Sequence, residues 1–107
     1  MTVDNGPKLT PIELRQRLNL ETGQLSWDEL QRYFAQGVVL VVEKGLDLVD
    51  VAASFAEDNR ESIEILLHSQ QLHQATDSEA RNWHDSKARF WAVVVAPWVI
   101  IQQIVDD

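Results

Sequence analysis

The chain contains no cysteine, which rules out disulfides and thiolate metal ligands and leaves little room for redox chemistry. A reducing cytoplasm fits that absence. Glycine is scarce: Gly6, Gly23, Gly37 and Gly45 are the full set, and no two are close enough to build a phosphate-cradling loop. Basic residues are scarce too. Nine Lys and Arg face seventeen Asp and Glu, a net charge of −8. The deficit is uneven: residues 1–37 carry four basic and five acidic groups, residues 38–107 five and twelve. Nucleic-acid affinity rests on neutralising phosphates, so this balance argues against nucleic acid as a partner, and against an anionic membrane surface. There is no run of the ~20 apolar residues that a membrane helix needs. The start, MTVDNGPKLT, lacks a basic stretch followed by an apolar one, so it reads as a short disordered tail over 1–9 rather than a secretory leader.

What remains is a chain of 107 residues, 45% apolar, with four tryptophans. That length and composition predict a single domain over 10–107 with a small core. Three capping boxes punctuate it: Thr10-Pro-Ile-Glu13, Ser26-Trp-Asp-Glu29 and Thr76-Asp-Ser-Glu79. In each, the hydroxyl accepts from the amide three residues on while the Glu reaches back. They predict helices over about 11–20, 27–36 and 77–85. Trp27, Leu30 and Phe34 share a face of the second helix, and Gly37 suits its C-terminal end. Val38–Val42, apolar without alternation, reads as a strand buried on both faces. Asp47 is placed to cap a helix over 48–57, with Leu48, Ala52, Phe55 and Ala56 inward. A helix over 60–70 turns Ile63, Leu66 and Leu67 inward, and 71–75 reads as a short strand.

Phe90–Gln103, FWAVVVAPWVIIQQ, is the densest apolar stretch. Pro97 cannot donate to a sheet ladder, so the stretch reads as two strands, 90–96 and 98–104, or as one strand bent at Ala96-Pro97. A tight hairpin is disfavoured, because no Asn-Gly or Gly-X turn is present. A run apolar on both strand faces needs cover on both. The helices supply one side; the other is either core as well or is covered by a second copy of the chain. Phe90, Trp91, Pro97 and Trp98 are therefore candidate interface residues, aromatic anchors being favoured at interfaces.

Several of these segments together resemble a known family. They are Ser26-Trp-Asp-Glu-Leu30, Phe34-Ala-Gln-Gly37, Leu46-Asp-Leu-Val-Asp-Val-Ala52, Ala56-Glu-Asp58, Arg89-Phe90 and Val94-Val-Ala-Pro-Trp-Val99. The chain, over roughly 10–104, resembles a family of small uncharacterised bacterial proteins catalogued as a domain of unknown function. The resemblance implies a bacterial, single-domain, cytoplasmic protein, and it carries no assigned functional residue.

The candidate chemistry is thin. His68, His73 and His84 are spaced by five and eleven, which places no pair on adjacent helical turns as a metal site prefers. Asp47 and Asp50 are paired carboxylates suited to a divalent ion, but a helix start also favours them, and the EF-hand spacing is missing. Ala53, Ile63 and Leu66 have the apolar spacing of a helix-turn-helix, with later strands as a wing. The recognition helix would then read Asn59-Arg-Glu-Ser-Ile-Glu64, too acidic for DNA. Arg81, His84, Lys87 and Arg89 form the basic cluster, interleaved with Trp83, Phe90 and Trp91, and are candidates for a small-anion or acidic-peptide site.

The sequence thus predicts an α+β fold, about five short helices on a mixed or antiparallel sheet of three to four strands. Its function is expected to be that of a small acidic cytoplasmic interaction protein that self-associates, without cofactor or membrane. A winged-helix-like regulator and a carboxylate-based divalent-cation enzyme are the alternatives.

Overall fold

The computed structural model describes residues 9–105; the tail expected over 1–9 lies outside them except for Leu9. The elements run α1 (Pro11–Glu21), β1 (Gly23–Ser26), α2 (Trp27–Ala35), β2 (Val39–Val42), α3 (Leu48–Ala56), α4 (Arg60–His68), β3 (Leu72–Gln74), α5 (Asp77–Ser86), β4 (Arg89–Val95) and β5 (Trp98–Gln103). All three capping boxes form, at α1, α2 and α5. Asp47 caps α3, its Oδ1 accepting from the amides of Val49 and Asp50.

Helix ends are as regular as helix starts. After α2, the amides of Gly37 and Val38 return to the carbonyls of Phe34 and Tyr33. Gly37 has a φ of +76°, the left-handed turn this closure requires. The same pair of bonds closes α3, α4 and α5, with Asp58, Gln70 and Lys87 in the left-handed position.

The strands form one mixed sheet in the order β1-β4-β5-β2-β3. β4 lies antiparallel to both β1 and β5, β5 runs parallel to β2, and β3 returns antiparallel on β2. Five strands replace the expected three to four. The unforeseen one is β1, four residues without a β-branched side chain, set between a helix and a capping box. Its strand state comes from pairing with β4, Leu25 opposite Phe90 and Ser26 opposite Arg89, not from propensity. The hairpin judged doubtful is also present. Val95 pairs with Trp98 across a two-residue turn, Ala96-Pro97, whose peptide bond is cis. That is the turn class with proline at its third position, which glycine signals do not announce.

The sheet is the middle of three layers. Phe90, Ala92, Val99, Ile101, Val39 and Val41 point to α2 and α5, where Trp27, Leu30 and Trp83 complete one core. Val93, Ile100, Leu40, Val42 and Leu72 point to α1, α3 and α4, where Leu18, Leu48, Val51, Ala52 and Ala53 complete a second. Both faces therefore pack against the chain's own helices over most of their extent, so the stretch 90–103 is mainly core. Two inward assignments also change: Ala56 and Leu67 are exposed, while Val51 and Ala53 take core positions on α3. Among the described residues no helix is long and apolar enough to cross a membrane.

Candidate functional site

A cleft of about 630 Å³ lies between α2 and the sheet. Its floor is apolar: Leu25 of β1, Ala92 and Val94 of β4, and Val99 of β5. One wall is Tyr33, backed by Arg32. The Arg32 guanidinium donates to the Tyr33 hydroxyl at 2.9 Å and stands 4.8 Å from its ring centre. Glu21, Asp28 and Glu29 make the rim. Glu29 is committed to the α2 cap and Glu21 to Arg17 at 3.2 Å, and Asp28 is in no ion pair among the described residues.

The cleft exists because cover stops short. β1 pairs with β4 only as far as Ala92, opposite Gly23, and the chain then turns away into α1. Val94, pointing to the α2 side and next to last in β4, is left 59% exposed. Among the described residues the outer edge of β1 has no strand neighbour. A volume of this size with an apolar floor and a polar rim falls in the range of binding sites.

The structure scatters the candidate interface residues. Phe90 is fully buried, its ring edge-on to Trp83 at 5.0 Å, and has no surface to offer a partner. Trp98 is half-buried against the α1, α3 and α4 side. Trp91 is 40% exposed on that same side and Pro97 is exposed at the hairpin tip, about 20 Å away at strand rise, so they share no patch. The residues that do form a cleft, Leu25, Tyr33 and Val94, carried no sequence signal beyond the alternation of β4.

The basic cluster is split. Arg81, His84 and Lys87 lie along α5 and its cap, bordering two shallow depressions of about 420 and 390 Å³ against α2. Arg89 points to the other side of the sheet and donates to Gln24. Of the carboxylate pair, Asp47 is used as a helix cap and Asp50 binds Arg15 at 2.8 Å, so neither is free for a divalent ion. Among the described residues no three His, Asp or Glu side chains converge. His73 binds Glu79 at 2.9 Å, tying β3 to α5.

α3 and α4 do pack as a helix pair, but the winged arrangement fails. β3 leads into α5 instead of a partner strand, and β4 and β5 are interior strands of the sheet with no freedom to act as a wing.

A family profile described as "Protein of unknown function (DUF2288)" matches residues 13–103. No curated protein matches the chain. Among solved structures, the NMR solution structure of PA1075 from Pseudomonas aeruginosa is similar: 41% identical in sequence, covering 87% of this chain and 86% of that one, with a TM-score of 0.77.

Proposed function

We propose, from the premise that this chain belongs to the DUF2288 family of proteins of unknown function, that it is a small cytoplasmic interaction protein that works without catalysis and self-associates. The observation that carries this reading is Val94. It is an apolar side chain 59% exposed near the end of β4, on the floor of a cleft beside the edge of β1 that is free among the described residues. An unpaired strand edge next to exposed apolar surface is the arrangement that pairs with another chain. The edge, Gly23-Gln24-Leu25-Ser26, carries neither the lysine nor the proline that commonly guard such edges. A two-fold axis beside β1 would extend the sheet and bring the two clefts together, since a two-fold interface uses the same patch twice. The cytoplasmic assignment rests on the absence of cysteine.

Sedimentation at micromolar concentrations tests the proposal. A dimer is expected, and Val94→Asp should shift it to monomer without changing the far-ultraviolet circular dichroism. A wild-type chain that stays monomeric throughout the range would overturn it.

A further inference from the structure

α2 presents two charges to the cleft that the fold has not used. Asp28 and Arg32 stand one helical turn apart, both border the cleft, and both are exposed. Their spacing suits an ion pair within the helix. None forms. The Arg32 guanidinium is turned onto the Tyr33 ring and hydroxyl, and neither Asp28 nor Arg32 is in an ion pair among the described residues. The other rim charges are engaged: Glu21 is held by Arg17, and Glu29 closes the capping box of α2. The rim therefore leaves open one acid and one base.

That balance selects the occupant. A basic segment of another protein would be drawn to Asp28 and repelled by Arg32, and an acidic segment the reverse. A second copy turned about a two-fold axis offers the same two charges in the opposite order, so acid meets base twice. Net charge argues the same way. Each copy carries −8, so most surfaces bring like charges together, and a rim whose open charges cancel is a place of weak repulsion. We propose, resting on the self-association inferred above, that Asp28 of each copy pairs with Arg32 of the other across the two-fold axis. The pairs also set the register of the contact. A four-residue edge that contains a glycine specifies register weakly through its backbone alone.

Sedimentation of two charge-reversal variants, alone and mixed, tests this. Asp28→Arg leaves two bases on the rim, and Arg32→Asp leaves two acids. Each alone should dimerise about tenfold more weakly than wild type, because both pairs become repulsive. An equimolar mixture should recover the wild-type dimer, one variant's bases meeting the other's acids, and added sodium chloride should weaken that mixed dimer. Both positions are exposed, so the fold should hold, and circular dichroism checks it. Asp28→Lys and Arg32→Glu repeat the test if either variant unfolds. The proposal is overturned if the single variants dimerise as well as wild type, or if the mixture is no more dimeric than its components. A wild-type chain that is monomeric throughout fails the self-association reading itself, whereas a wild-type dimer indifferent to these charges fails only the pairing.

Discussion

Single residues set much of this protein's stability, and the left-handed helix ends show how. Four of its five helices close with the same pair of bonds, yet glycine occupies the turn position once. Gln70, with a φ of +62°, holds a conformation that costs a side-chain-bearing residue roughly 1–2 kcal/mol. Gln70→Gly is therefore expected to stabilise the fold by about 0.5–1 kcal/mol, part of the gain being lost to the greater freedom of glycine in the unfolded chain. Urea titration at fixed pH measures it, and an unchanged or lower midpoint would contradict it. Phe90 gives the opposite extreme. Fully buried and edge-on to Trp83, it should cost about 3–5 kcal/mol when truncated to alanine. The same titration reads that loss, and a cost under about 1 kcal/mol would mean the core had repacked around it.

At the scale of elements, helix starts were legible and strand pairings were not. A capping box is local: four residues contain both donors and both acceptors, so Thr10, Ser26 and Thr76 announced α1, α2 and α5 from sequence alone. The strand β1 was not legible, because Gly23–Ser26 becomes extended only by pairing with residues more than sixty positions away. The cleft depends on where that pairing stops, so Val94 was unreadable for the same reason. The Ala96-Pro97 hairpin was missed because the glycine signals that were sought belong to other turn classes. The α1 cap also carries a pH dependence. The Thr10 amide, and then its side chain, hold the Glu13 carboxylate and lower its pKa below the ordinary value. A lowered folded-state pKa means that the stabilisation is complete above the unfolded value and is lost as pH falls through the lowered one. Protection against amide exchange in the first turn of α1, relative to the intrinsic rate at each pH, should accordingly fall on acidification through that window. Glu13→Gln should flatten the response, and an exchange profile identical in the variant would dispose of the effect.

For the whole molecule, the three-layer arrangement explains why composition is a fair guide to class and a poor guide to which faces are covered. An apolar ribbon with two faces leaves open, from composition alone, what covers each of them. In fact the interleaving of helices along the chain sends α2 and α5 to one side and α1, α3 and α4 to the other. What is left uncovered is the β1 edge with its cleft, a consequence of strand length that no residue count registers. Topology also places β5, the last strand in sequence order, in the middle of the sheet, bonded to β4 on one side and β2 on the other. During synthesis, β2 and β4 therefore have no common neighbour until Trp98–Gln103 has left the ribosome. The centre of the sheet is closed from the carboxyl end, so a ribosome stalled before Trp98 holds two half-cores and no domain. A chain ending at Ala96 should be unfolded by circular dichroism and cleared by cellular proteases, whereas loss of an edge strand would spare the middle. Assembly of the described sheet is thus completed by the last of its strands to be made.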